Sequence, residues 1–234
     1  MNAQIGGLWR SSVFRKQIVA VTGLIWVGFI LMHMAANLLL FLGPEALNGY
    51  SEMLHAIPEL LWMARLILVA AFVLHVTFTV MLVVENRSAR SHRYEVLHSH
   101  GETNFVKKTM ILSGLLVFFF VFIHLTDFTL AAKTGPDSVI AGTEGDASYA
   151  LYGLVWNAFG SIPRVLFYML IMVLVGMHLS HGIQSFFQTI GFFHDRYTPL
   201  IRRASIVLGV IVAVGFILVP LYVVFRHFTI GPAV

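Results

Sequence analysis

The sequence predicts an all-α integral membrane protein: five transmembrane helices in one bundle, with the N-terminus on the cytoplasmic side. Three observations carry this. The 234 residues are 58% hydrophobic and only 11% charged, with a mean hydropathy of +0.84. A soluble domain needs far more charge on its surface. Five stretches, near 17–41, 60–84, 109–132, 165–190 and 204–225, run with almost no Asp, Glu, Lys or Arg. Each has the roughly 20 residues that a helix needs to cross a bilayer core, and none has the alternation of a membrane β-barrel. Lastly, the basic residues are dealt out by loop.

Arg10, Arg15 and Lys16 lead into the first stretch. That stretch is read as a retained span, because it is too long for a cleaved leader and no small-residue cleavage site closes it. The connection to the second stretch has no Lys or Arg. After the second comes a polar segment, 85–108, with Arg87, Arg90, Arg93, Lys107 and Lys108 and with His92, His98 and His100. It is expected to face the cytoplasm, where it could dock a soluble partner. The connection after the third stretch has only Lys133 near one end and Arg164 near the other. Its Gly135, Pro136, Asp137, Gly142, Glu144, Gly145 and Asp146 predict an irregular loop, and Tyr149 to Phe159 a short interfacial helix carrying Tyr152 and Trp156. Arg196, Arg202 and Arg203 precede the fifth stretch. The positive-inside rule therefore puts the N-terminus in the cytoplasm and the C-terminus outside, in a multi-pass protein of the cytoplasmic membrane. No linker divides residues 1–234. The net charge of +4 is spread by topology, so it is no nucleic-acid signal. The absence of cysteine excludes iron–sulfur clusters, disulfides and thiol catalysis in this chain.

Each of the first four stretches contains a histidine deep in its apolar run: His33, His75, His124 and His178. Polar side chains at membrane depth are costly and functional by default. Counted along the helix rise, His33 and His124 lie roughly 25 Å from their cytoplasmic ends, whereas His75 and His178 lie roughly 14 and 18 Å from theirs. Two pairs of matching depth result. Two neutral imidazoles facing across a bundle can hold a haem iron axially, so the pattern predicts two b-type haems that carry electrons and leave no position open to substrate. His181, one turn beyond His178, matches His75 slightly better by depth, so either could be the ligand on this count. The alternative for any single histidine is a ring hydrogen-bonded to a neighbouring helix.

A weak repeat joins the first and third stretches. Thr22-Gly23 stands ten residues before His33, and Ser113-Gly114 ten before His124. Gly23 and Gly114 either let a flat macrocycle approach the backbone at the level of the inner pair or pack helices closely. Arg15, Lys16, Lys107 and Lys108 either meet haem propionates or anchor helix ends among lipid headgroups. His55, Glu59 and Tyr50 lie on the side of the outer pair, where a carboxylate could exchange protons with a quinone; otherwise they are solvated. Asp127 reads as wetted, and Thr22, Thr126 and Ser180 as hydroxyls bonded to their own helical turns.

With these residues in view, the chain resembles the cytochrome b subunit of succinate dehydrogenase and fumarate reductase, in the five-helix dihaem class with a single membrane polypeptide. The resemblance covers nearly the whole chain. It is carried by Ser11-Ser12 through Lys16, Thr22-Gly23, His33 with Asn37-Leu38-Leu39, Gly43-Pro44-Glu45-Ala46-Leu47-Asn48, His75, Lys107-Lys108 with Ser113-Gly114, His124, and His178-Leu179-Ser180-His181-Gly182. It implies an inner haem held by His75 and His178 and an outer haem held by His33 and His124, with His178 rather than His181 as ligand. It also implies a flavoprotein and an iron–sulfur protein docked on the cytoplasmic face, and electrons passing through both haems to a quinone, typically menaquinone. Glu59 is similar to a quinone-site carboxylate of the family. There is one departure: some fumarate reductases of this class carry a glutamate two residues before the fourth-helix ligand, where this chain has Gly176. The rival readings are a dihaem cytochrome b of a formate dehydrogenase or hydrogenase, and a haem-free transporter with histidine proton relays.

Overall fold

A computed structural model of the chain describes residues 11–89, 105–134, 136–140 and 149–229. Arg10, Arg90, His92, Arg93, His98, His100, Gly135, Gly142, Glu144, Gly145, Asp146 and the side chains of Lys107 and Lys108 lie outside the described residues. In chain order the helices are α1 (Ser12–Asn37), α2 (Pro44–His55), α3 (Pro58–Ser88), α4 (Phe105–His124), α5 (Ala150–Phe159), α6 (Ile162–Thr189) and α7 (Thr198–Thr229). A 3-10 turn, Leu38–Leu42, prolongs α1, and a π turn, Leu125–Thr129, prolongs α4. Five of these are long and apolar enough to span a membrane: Ser12–Leu42, Pro58–Ser88, Thr109–Thr129, Ile162–Thr189 and Thr198–Thr229. The protein is a multi-pass membrane protein.

Four of the five spans overrun the predicted stretches, because a helix does not stop where its apolar core stops. Prolines stand in the first turns of α2, α3 and α6, where φ is already suitable and no N–H is wanted. Ser11 caps α1 by accepting from the Phe14 N–H at 3.4 Å. The third span instead ends early. The α-helix gives way at His124 to the π turn, closed by the Leu130 N–H on the Leu125 carbonyl at 2.8 Å. Such single π turns occur mostly at functional sites.

Two short helices differ from expectation. The first connection contains α2, entered through Gly43 at φ 97°, where the absence of a Cβ matters. Its hydrophobic signal is too short to read as a helix beforehand. Helix α5 forms where a short helix was expected, and it is buried against the end of the bundle as a plug. Tyr152, Leu154, Val155, Trp156 and Phe159 are all buried, and all but Leu154 join Leu40, Leu47, Tyr168 and Val223 in the main core at this end of the bundle. Asn48 sews the two short helices together. Its Nδ2 donates to the Tyr149 carbonyl at 2.9 Å, and its Oδ1 accepts from the Tyr152 N–H at 3.0 Å. Asn48→Ala should therefore lower the unfolding free energy by about 1–3 kcal/mol, since a buried N–H at the start of α5 loses its acceptor. Thermal unfolding in detergent measures it, and an unchanged midpoint would contradict this account.

The long helices pair as α1 with α3, α4 with α6, α1 with α6, and α6 with α7. The α6–α7 contact is the most intimate. A Cβ on Gly176 would collide with the Gly209 carbonyl, and a Cβ on Gly209 with the Gly176 carbonyl, so the two backbones touch. Burial follows this division: 39% of the span windows in α6 and α7 is buried, against 11% in α1, α3 and α4. At the basic end, the buried Arg15 is ion-paired with Glu85, tying α1 to α3. The Arg15 charge is thus met by a carboxylate of the same bundle. Lys16 beside it is exposed.

Candidate functional site: two facing histidine pairs

His33 on α1 and His124 on α4 meet ring to ring, with centres 5.6 Å apart and planes at 81°. Aromatic side chains hold each ring. Phe29 stacks on His33 at 5.2 Å, and Phe120 stacks on His124 at 5.6 Å. Phe216 of α7 lies 5.7 Å from His33, while Phe128 and Tyr168 close the other side of His124 at 5.4 and 6.4 Å. Spacing explains much of this: Phe29 and His33, and Phe120 and His124, are four residues apart and therefore one above the other on their helices. The Asn37 amide donates to the His33 carbonyl at 2.8 Å and lies 3.4 Å from its Nε2.

His75 on α3 and His178 on α6 form the second level, and each is seated on the helix that its own helix packs against. His75 Nδ1 lies 3.1 Å from the Val19 carbonyl and 3.2 Å from Thr22 Oγ1. His178 Nδ1 lies 3.4 Å from Ser113 Oγ. A Cβ on Gly23 would stand 3.3 Å from His75 Cε1, and a Cβ on Gly114 would stand 3.2 Å from His178 Cε1. The glycines thus stand against imidazole rings of a neighbouring helix. The sequence repeat acquires a meaning: each hydroxyl-glycine pair serves a histidine of the partner helix, not the one ten residues further along its own.

His181 faces elsewhere. It lines a groove of about 460 Å³ between α6 and α7, with Ser180, Gln184, Gln188 and Arg202. His178 instead faces α4. The ambiguity between the two histidines is thus geometrical: three residues on a helix separate their directions by most of a right angle.

On the side of the outer pair, Glu59 and His55 are exposed. His55 Nδ1 donates to the Ser51 carbonyl at 2.7 Å, and Lys133 Nζ reaches Ser51 Oγ at 3.3 Å and His55 Nε2 at 3.4 Å. Burial, with the Arg65 charge second, holds the Lys133 ammonium below the usual lysine range. Asp127, expected to be wetted, is only 13% exposed. It sits in the π turn, accepts from the Tyr168 hydroxyl at 2.6 Å and lies 3.6 Å from Arg164. An aspartate three residues past a buried histidine was the available signal, but its partners on α6 come from tertiary packing.

Comparison with family models, curated proteins and solved structures returns no match. What the site can hold therefore rests on its donor set. Among the described residues no three His, Cys, Asp or Glu side chains converge as a metal-ion site. A bare divalent ion is usually held by three or four protein ligands. Facing imidazole pairs suit a metal whose other positions are filled by a macrocycle. Two imidazoles on opposite sides of one metal, each nitrogen about 2 Å away, have ring centres roughly 6 Å apart, close to the 5.6 Å between His33 and His124. Three buried polar atoms lack a hydrogen-bond partner among the described residues: Trp26 Nε1, Thr79 Oγ1 and His124 Nδ1. They lie on α1, α3 and α4, the least self-buried helices, where a polar prosthetic group would meet them.

Proposed function

We propose that this chain is the dihaem cytochrome b membrane subunit of a succinate:quinone oxidoreductase, the succinate dehydrogenase and fumarate reductase class, and passes electrons between an iron–sulfur subunit and a membrane quinone. The observation that carries it is one deep histidine on each of four helices, with His33 and His124 meeting ring to ring at 5.6 Å and His75 and His178 each seated on a hydroxyl-glycine pair of a neighbouring helix. Two haem b groups fit this set, one between His75 and His178 and the other between His33 and His124. When bound, each haem would supply a one-electron centre.

The rest of the task falls to the chain. Ten residues of α1 separate Gly23, at the inner pair, from His33, roughly 15 Å along the helix axis, so the two centres are staggered across the bilayer. Phe29, Phe120, Phe128 and Phe216 wall off the outer imidazoles and exclude water. The basic end, with Lys16, Arg87, Arg196, Arg202 and Arg203, faces the cytoplasm, where the flavoprotein and iron–sulfur partners dock. The quinone, a menaquinone by family resemblance, is reduced or oxidised near the outer pair, within membrane lipid. His55 and Glu59 stand exposed on that side as proton-exchanging groups.

An optical redox titration of the membrane-extracted chain, with a pyridine haemochrome assay, tests this. Two haems per chain and copurifying flavin and iron–sulfur proteins are expected. A colourless folded preparation overturns the reading. A molybdenum or nickel partner would move it to another quinone-linked dehydrogenase.

A further inference from the structure

We propose that Thr22-Gly23 and Ser113-Gly114 are matched cradles that position the two inner imidazoles, fixing which nitrogen each presents and thereby setting the potential of the inner haem; this rests on the dihaem reading above. An imidazole can ligate only through a nitrogen that carries no proton, so its other nitrogen must be the N–H donor. For His75 the choice is forced. The Val19 carbonyl, 3.1 Å from Nδ1, can only accept, so Nδ1 holds the proton and Nε2 the lone pair. Thr22 strengthens this. Its own hydroxyl hydrogen goes to the Ile18 carbonyl at 2.7 Å, which leaves oxygen lone pairs for His75 Nδ1 at 3.2 Å. The ordinary back-bond of a helical threonine thus orients its oxygen as an acceptor.

Ser113 repeats the device on the other side. Its hydroxyl donates to the Met110 carbonyl at 3.0 Å and offers its lone pairs to His178 Nδ1 at 3.4 Å. Among the described residues no hydrogen bond reaches Nε2 of either ring. Each glycine removes the side chain that would push the ring off its hydroxyl, and in both cases the ring atom met is Cε1. The same atom against the same residue type in two helix pairs is more than general close packing requires.

Donation from Nδ1–H makes a ligand imidazole more electron-rich, favours the oxidised metal and tightens binding. Loss of such a partner typically weakens metal affinity about 10- to 100-fold. Thr22→Val keeps the shape and deletes the side-chain acceptor, leaving His75 Nδ1 only the Val19 carbonyl. In the full-length protein its expected result is a raised midpoint potential and weakened retention for the inner haem, an altered low-spin EPR signal from that haem, and an unmoved outer potential. Thr22→Ser should restore all three. Ser113→Ala should act in the same direction through His178, and it keeps the test open if Thr22→Val does not accumulate. Two haems with both potentials unmoved in both variants overturn the cradle and leave the functional reading standing. Equal shifts of both haems also overturn it, because they mark a general loosening of the bundle. A haem-free wild type removes the functional reading and the cradle with it.

Discussion

His75→Ala is expected to yield a protein with one haem in place of two, the survivor being the outer one. His75 belongs to the level seated on Thr22-Gly23 and Ser113-Gly114, while His33 and His124 meet about 15 Å further along the bundle. Their support is also different, made of stacked phenyl rings on α1 and α4 where the inner pair has hydroxyls and a carbonyl. The outer level should therefore survive an alanine on α3. His178 alone would be left with one axial bond and a vacated partner position. Haemochrome stoichiometry should fall by half, and the redox titration should lose one wave. His33→Ala should remove the other wave. The discriminating control is His181→Ala, which should keep both haems, because His181 lines the α6–α7 groove and takes no part in the inner pair. Loss of both haems in His75→Ala, or of neither, would break the assignment of levels; loss of a haem in His181→Ala would exchange the ligand on α6.

The parts of this molecule that were legible beforehand are those written in apolar length and periodic depth. Five spans could be placed because twenty uncharged residues have few other uses. Helix rise converts residue number into height, and by that count His33 is matched with His124, whose ring it meets at 5.6 Å. What the sequence hid was partner choice. Thr22 and Gly23 stand near His33 in sequence, yet they touch His75, fifty-two residues on, because α1 packs against α3. Arg15 looks like a headgroup anchor until Glu85, at the far end of α3, is brought beside it. Asp127 looks wetted until Tyr168 arrives from α6. Helix α5 has the composition of an interfacial helix, with Tyr152 and Trp156. Only Asn48, reaching across from α2, and the packing of both helices against the end of the bundle make it a plug. Short helices are fixed by tertiary contact more than by their own propensity, which is why α2 was missed and the burial of α5 was not foreseen.

Gly176→Ala should be among the most damaging single-methyl changes available in the chain. The added Cβ would be driven into the Gly209 carbonyl and the Ala213 side chain, and a backbone oxygen inside a helix cannot rotate out of the way. Overpacking commonly costs about 1–3 kcal/mol, and an immovable obstacle puts this case near the upper end. The damage should not stay local. His178 lies two residues further along α6, so displacement of α6 loosens the inner pair, and inner-haem retention should fall together with the thermal midpoint while the outer haem holds. Gly209→Ala should reproduce the effect from the other side. Because both substitutions wedge the same crossing, the double variant should lose less than the sum of the two. Additive losses, or a Gly176→Ala protein that melts like wild type, would mean that the two backbones do not touch at this point. The same geometry bears on the glutamate that some fumarate reductases of the similar family carry at this position. Gly176→Glu would have to bury a side chain several times larger than the methyl group already excluded. This chain can keep its α6–α7 crossing or place a carboxylate there, but not both. The close crossing of α6 and α7 is therefore a steric obstacle to a carboxylate at that position.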